Sequence, residues 1–216
     1  MNVVDISPSR RDSRLPLLIV LIVLAAALLW YLQSRLNFLN LSLASYTEYF
    51  WPRRLGLLPH FFGGVLASTT GLVQIWLGLT NRTGVWHHAL GRVYGTGVLI
   101  GSLGGYYMVA TIPGNDLAYS SGLFLMSTAW ALTTGMALYA IRHRQLQQHR
   151  EWMLRSYVVT FAFVTNRLGS DLLRNWLGVP AADNPDHIDE MMAWACWAVP
   201  LLLAEPLLQL RSMRRM

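Results

Sequence analysis

Two histidines, His87 and His149, are the side chains of this sequence whose positions best suit chemistry. Each begins a predicted membrane-spanning helix, and the two helices start on the same side of the membrane. Histidines that face each other across a helix bundle are the usual axial ligands of a b-type haem. The helix face of His87 also carries Gly91, Gly101 and Gly105, which would leave room for a flat macrocycle. We therefore predict one haem b, with His87 and His149 binding its iron.

Arginines stand near both histidines, where the propionates of such a haem would emerge. They are Arg82, Arg92, Arg150 and Arg155. The same residues also have simpler explanations, which stay open. Glycines every three or four residues are typical of closely packed membrane helices. Arginines at a membrane surface bind lipid phosphates, and histidines at an interface are often merely solvated.

The segment 149–176 is predicted to form one long helix with a polar stripe. At 3.6 residues per turn, seven side chains fall within an arc of about 60°. They are His149, Met153, Ser156, Thr160, Arg167, Asp171 and Arg174. A charge at the centre of a bilayer costs about 2.5–3.5 kcal/mol, so the stripe is expected to face the bundle interior. There Arg167, Asp171 and Arg174 would partly neutralise one another, either as a structural ion cluster or with a functional role.

Two further polar residues lie within apolar segments. His60 is near the outer end of the second predicted span, and the fourth span has no histidine to oppose it. His187 is poorly placed as a partner, so a second haem is not expected. Glu205, followed by Pro206 in the sixth span, suggests proton or cation handling, or an interior partner for an arginine. It also lies close enough to one end of the span to reach water.

Composition indicates a polytopic, all-α membrane protein. Of the 216 residues, 54% are hydrophobic and 13% are charged, whereas soluble domains carry about 25% charged residues. The net charge of +6 comes from arginines clustered between apolar segments, which membrane orientation explains better than nucleic-acid binding. The single cysteine, Cys196, permits no disulfide within the chain. The sequence contains no nucleotide-binding loop and no Ser/His/Asp constellation, so whether it is an enzyme stays open.

We predict six spans in a single transmembrane domain, 15–210, with a four-helix core made of spans two to five. The spans are about 15–32, 57–79, 87–111, 120–141, 149–176 and 190–210, with tails at 1–14 and 211–216. Twelve arginines lie on the side of the two termini, and the opposite side carries the acidic 178–190 loop. By the positive-inside rule, both termini are expected in the cytoplasm, and the protein in the inner membrane of a bacterium.

Two motifs resemble the hallmarks of a widespread family of predicted bacterial membrane proteins that contain a domain of unknown function. They are His87-His-Ala-Leu-Gly-Arg-Val-Tyr and His149-Arg-Glu-Trp-Met-Leu-Arg-Ser. Other positions that match are His60, Gly64 and Arg167, and His88 stands where the family usually has arginine. The resemblance covers about 57–170 and implies a membrane bundle without an established activity. The architecture also resembles, more weakly, the four-helix transmembrane b-type cytochromes.

Three functions remain open from the sequence. The first is an oxidoreductase-type carrier that passes electrons within the membrane through the predicted haem. The second is a non-enzymatic membrane subunit or assembly factor, whose partners are other membrane proteins and whose polar core is structural. The third is a small-solute or proton transporter that uses Arg167, Asp171 and Glu205. In each case we expect contact with the bilayer and its anionic lipid headgroups, and none with nucleic acid.

Overall fold

The computed structural model describes residues 15–35, 40, 42–112, 116–180 and 186–213, and this part of the chain is all-α, as predicted. Its helices are α1 (Leu15–Ser34), α2 (Leu43–Phe50), α3 (Arg54–Leu79), α4 (Val85–Ala110), α5 (Leu117–Arg142), α6 (Leu146–Thr160), α7 (Ala162–Leu177) and α8 (His187–Met213), with a 3₁₀ turn at Trp51–Arg53 before α3. The predicted tail 1–14, residues 181–185 of the acidic loop and the last three residues lie outside the described residues.

Helices α3, α4, α5 and α6 contact one another in a ring, which corresponds to the expected four-helix core. Helix α8 packs against α5, α6 and α7, and α1 lies against α3 and α7. The connection between the first two predicted spans is not a simple loop, because it contains α2.

The prediction of six membrane spans is not confirmed by helix length and apolar character. Within the described residues, three helices meet both criteria: Glu48–Leu79, Leu117–Arg142 and His187–Leu210. A shorter apolar helix covers Leu18–Ser34. Helix α4 has 26 residues, about 39 Å at 1.5 Å per residue, but its six glycines and its tyrosines lower its mean hydropathy.

The predicted single helix over 149–176 is divided in two at Phe161. Just before the break, Oγ1 of Thr160 donates to the carbonyl of Ser156 at 2.9 Å. Threonine side chains that bond the carbonyl four residues earlier tend to bend a helix. As a result, the polar residues of the predicted stripe do not share one environment. Ser156 and Thr160 are fully buried, whereas Arg167 is exposed.

Glycines bring α3 and α4 into backbone contact. A Cβ atom on Gly63 would lie 2.5 Å from the carbonyl oxygen of Gly97 and in contact with the backbone of Gly101. Further along, a Cβ on Gly104 would lie 2.5 Å from the carbonyl oxygen of Gly56. Small residues that let two backbones approach closely are the common packing device of membrane helices. Gly97, Gly101 and Gly104 of α4 therefore serve helix packing, which was one of the two explanations left open by the sequence.

A buried hydrogen-bond network joins α4, α5 and α6 in the middle of the bundle. The Tyr94 hydroxyl lies 2.6 Å from Oγ of Ser156 and 2.8 Å from Oγ1 of Thr160. The indole N–H of Trp130 donates to the same Thr160 oxygen at 2.8 Å, and Thr134 bonds Ser156 at 2.6 Å. Because these polar groups satisfy one another away from water, the network specifies how the three helices pack.

Candidate functional site

The first candidate site is the end of the bundle where α4 and α6 begin, here called the His87 end. Nδ1 of His149 lies 2.9 Å from the carbonyl oxygen of Ala137. A carbonyl only accepts hydrogen bonds, so Nδ1 carries a proton, and in the neutral ring Nε2 holds the lone pair. Nδ1 of His87 is enclosed and has no hydrogen-bond partner among the described residues. His87, near the start of α4, and His149, near the start of α6, lie at the same end of the bundle.

Most of the glycine column behind His87 does not leave open space for a macrocycle. The ring of Trp130 would lie 2.6 Å from a Cβ on Gly101, and Oγ of Ser127 would lie 2.6 Å from a Cβ on Gly105. Gly91, one turn from His87, has only the side-chain amide of Gln74 nearby, at 3.3 Å. The space predicted beside Gly101 and Gly105 is therefore filled by neighbouring side chains, and Gly91 alone keeps the predicted role.

Arg155, predicted to face a haem propionate, is instead paired with Glu205 of α8. Its Nε and Nη2 atoms donate to the two carboxylate oxygens at 3.0 and 2.8 Å, which is a bidentate geometry. The guanidinium also lies over the ring of Trp152, and Gln209 donates to Glu205 at 2.9 Å. Among the roles that the sequence left open for Glu205, the structure shows that it is the partner of an arginine. The other predicted propionate partners, Arg82, Arg92 and Arg150, have exposed side chains at this end.

The predicted ion pair between Arg167 and Asp171 forms, with 3.3 Å between Nε and Oδ2. It is not interior, because the two side chains are 44% and 34% exposed. The expectation of a buried pair is therefore wrong for these two residues. Arg167 lines the wall of the cavity described below, where its side chain keeps accessible surface.

Arg174 is buried as predicted, but its partners are Asp186 and Asp189 rather than Asp171. The guanidinium binds both oxygens of Asp186 at 2.6 and 2.9 Å, and Oδ2 of Asp189 at 2.8 Å. Asp186 also accepts the backbone N–H groups of Ile188 and Asp189, which caps the start of α8. We call Arg174, Asp186 and Asp189 the Arg174 latch. The guanidinium holds the pKa of the Asp186 carboxyl below its usual value.

The second candidate site is a cavity of about 260 Å³ at the opposite end of the bundle, here called the His60 cavity. Its polar lining comes from four helices and includes His60, Ser127, Asn166, Ser170 and Asp189. Much of the remaining wall is aromatic or contains methionine: Phe61, Met108, Tyr119, Met126 and Phe163. A largely apolar cavity with a few convergent polar groups is the usual form of a small-molecule site.

The position of His60 is set by α4 on one side and α7 on the other. Nδ1 of His60 donates to the carbonyl oxygen of Gly101 at 2.7 Å. The imidazole stacks on the ring of Phe163, with 4.6 Å between centroids and 24° between planes. The Phe163 ring occupies the place that a Cβ on Gly64 would take. This contact explains why His60 and Gly64 occur together four residues apart.

Sequence reasoning identified His60 but missed the cavity around it. Ser127, Asn166 and Asp189 come from α5, α7 and α8, and no local motif connects them. Only the tertiary packing of these helices brings their side chains to one place. The pairing of His60 with Gly64 was the one local signal that this region is specialised.

The helical bundle, its long apolar helices and the polar groups enclosed between them define a multi-helix membrane protein. Its family follows from comparison with known proteins. The chain belongs to the family described as predicted membrane protein DUF2306, a domain of unknown function, whose model matches residues 57–208. This membership confirms the resemblance seen in the sequence and extends it through most of α8. No curated protein and no solved structure matches the chain.

Proposed function

We propose that this membrane protein binds a small, largely apolar solute in the His60 cavity, either to carry it or to present it within the bilayer. The observation that supports the proposal is the convergence of polar side chains from four helices inside an aromatic wall. Binding sites of this kind combine apolar contact area with a few polar groups that orient the ligand. Arg167 also lines the cavity, so the proposal keeps one of the three residues assigned to the predicted transporter.

We further propose six spans in the inner membrane of a bacterium, with α4 and the α6–α7 pair also crossing the bilayer. The glycine contacts between α3 and α4 give α4 a place among spans despite its lower hydropathy. The arginine-rich His87 end would face the cytoplasm and its anionic lipid headgroups, together with both termini. The His60 cavity would then lie toward the periplasm.

A cysteine placed at Ser127 tests the cavity and its orientation together. In a Cys196→Ser background, Ser127→Cys should react with a small, membrane-impermeant methanethiosulfonate reagent added from the periplasmic side. Ser127 is 2% exposed on the protein as a whole but lines the cavity, so labelling requires that water and solutes enter. Modification is measured by mass spectrometry of the intact protein in spheroplasts.

Ser156→Cys in the same background is the matched control, because Ser156 is fully buried in the Tyr94 network away from the cavity. It should stay unmodified. Equal, slow labelling of both positions would show that the reagent enters only when the protein opens, and would contradict the cavity proposal. Labelling of position 127 from the cytoplasmic side alone would reverse the proposed orientation.

The second candidate function is the b-type cytochrome that passes electrons within the membrane. One feature favours it: Nδ1 of His149 donates to the carbonyl of Ala137, which leaves Nε2 of the neutral ring able to bind a metal. Histidines that bind metals commonly donate their other ring N–H to a carbonyl in this way. Gly91 and the exposed Arg92 and Arg150 would accompany such a haem. The filled positions beside Gly101 and Gly105 count against it.

Absorption spectroscopy of the protein purified after expression with ample haem separates the two candidates. Bis-histidine iron would give the reduced protein a sharp α band, which His87→Ala and His149→Ala should each abolish or broaden. His88→Ala should leave the band largely intact, because His88 is exposed and is turned about 100° away from His87 on the same helix. A folded, colourless protein would rule out the cytochrome and leave the solute-binding proposal in place.

A further inference from the structure

The protonation state of the His60 ring limits which chemical groups a ligand can use to bind it. The Gly101 carbonyl can only accept, so the 2.7 Å contact requires the proton to be on Nδ1 of His60. A positively charged imidazole packed on Phe163 inside a bilayer would be costly to desolvate. His60 is therefore the neutral tautomer in which Nε2 holds a lone pair.

Within the described residues, Nε2 of His60 has no hydrogen-bond partner, and it is not among the fully enclosed polar atoms that lack one. The side chain lines the cavity and keeps some accessible surface even though it lies between α3, α4 and α7. Nε2 is thus the atom that His60 offers to a ligand, and it accepts hydrogen bonds. A ligand that forms a hydrogen bond with this atom must therefore carry a hydrogen-bond donor, such as a hydroxyl group.

The aromatic and methionine side chains of the wall favour a flat ring. Phe163 already stacks on His60, and Phe61, Tyr119, Met108 and Met126 supply further aromatic and thioether surface. Such side chains pack well against the faces and edges of aromatic rings. The volume of about 260 Å³ accommodates one substituted ring.

We propose that the His60 cavity takes a planar aromatic ring that carries a hydroxyl group, the class that includes phenols and hydroquinones, and that this hydroxyl donates to Nε2 of His60. The inference rests on the proposed solute-binding function and names its ligand class. No redox step is part of it. The hydroxyl fixes the orientation of the ring, and the aromatic wall provides most of the contact.

Pentamethylphenol and its methyl ether, pentamethylanisole, form a matched pair of probes, since they share the ring and differ in the hydroxyl hydrogen. We expect the protein in lipid nanodiscs to bind the phenol about tenfold more tightly than the ether, as one buried hydrogen bond allows. Binding is measured by equilibrium dialysis, with empty nanodiscs as the reference for partition into lipid. This comparison uses the unaltered chain and needs no variant.

His60→Phe keeps a flat ring but removes the acceptor, so it should reduce the tenfold preference to about one. His88→Phe, at the other end of α4 from the cavity, should preserve it. Equal binding of the two probes to the unaltered protein would overturn the inference while leaving a solute cavity. The inference would also be overturned if His60→Phe kept the tenfold preference for the phenol over the ether. If neither probe binds, the inference also fails, and labelling at position 127 then decides separately whether the cavity admits solutes.

Discussion

Replacing Arg174 with methionine should lower the free energy of unfolding by about 3 kcal/mol, because it leaves two carboxylates without their counter-ion. The Arg174 side chain is 9% exposed and binds Asp186 and Asp189 through three short hydrogen bonds. Methionine keeps much of the volume and removes the charge. The partial exposure of the carboxylates, 28% and 27%, places the expected loss at the lower end of the range for buried pairs. The loss is measured by adding dodecyl sulfate to the protein in mild detergent micelles until it unfolds, and comparing the unfolding free energies of the variant and the unaltered protein.

Arg167→Met is the matched control on the same helix. Arg167 pairs with Asp171 at 3.3 Å, but its side chain is 44% exposed. Exposed ion pairs of this kind contribute about 0.2–1 kcal/mol. Comparable losses in the two variants would contradict the distinction between an enclosed latch and a solvated pair.

The latch should also weaken in acid. The pKa of Asp186 is lower in the folded protein than in the unfolded chain, mainly because Arg174 hydrogen-bonds its carboxylate. Its stabilising contribution is therefore complete above the ordinary aspartate pKa of about 3.9 and is lost as the pH falls through the lower, folded pKa. Unfolding curves between neutral pH and about pH 3 should show this loss. The Arg174→Met protein should show a smaller loss over the same interval, and an equal loss would assign the effect to other carboxyl groups.

Replacing Gly63 with alanine should be nearly as damaging, at up to about 3 kcal/mol, because it forces apart two helix backbones. The added methyl group would lie 2.5 Å from the carbonyl oxygen of Gly97 and would also collide with the backbone of Gly101. Backbone atoms cannot rotate away as the end of a flexible side chain can. The expected result is a large loss of stability in the same detergent assay, together with weaker packing of α3 on α4.

Gly135→Ala in α5 is the control for this substitution, since a Cβ there would have no atom within 4 Å. Alanine is favoured over glycine in a helix by up to about 1 kcal/mol, so this variant should be unchanged or slightly more stable. A tolerated Gly63→Ala would show that α3 and α4 do not pack as closely as described.

Much of the fold follows from local properties of the sequence. Apolar runs of about twenty residues, bounded by arginines and by Pro- and Gly-containing turns, were enough to predict an all-α membrane protein and to place most helices. The division at Phe161 could not be predicted in this way, because no proline or glycine marks it. It accompanies a Thr160 side chain that bonds both its own helix and Trp130 of α5, and such a contact exists only after the helices pack.

The same distinction between local sequence properties and contacts formed on packing applies to the candidate sites. The identities of His60, His87 and His149 and the pairing of Arg167 with Asp171 could be read from the sequence, because helical spacing is a local property. The partners of Arg155 and Arg174 could not. Both guanidinium groups are neutralised by carboxylates of α8 or of the residue that caps its start, 12 to 50 residues away along the chain. Charge patterns along one helix cannot reveal which other helix supplies the counter-ion.

Hydropathy and periodicity act over a single helix, so the class of protein, its helical content and the side chains that could do chemistry were predictable from the amino-acid sequence. Three features were not predictable in this way: the contact of Gly97, Gly101 and Gly104 with the backbone of α3, the cavity around His60, and the pairing of Arg155 and Arg174. These features depend on distances between atoms of different helices, which are set when the whole bundle packs.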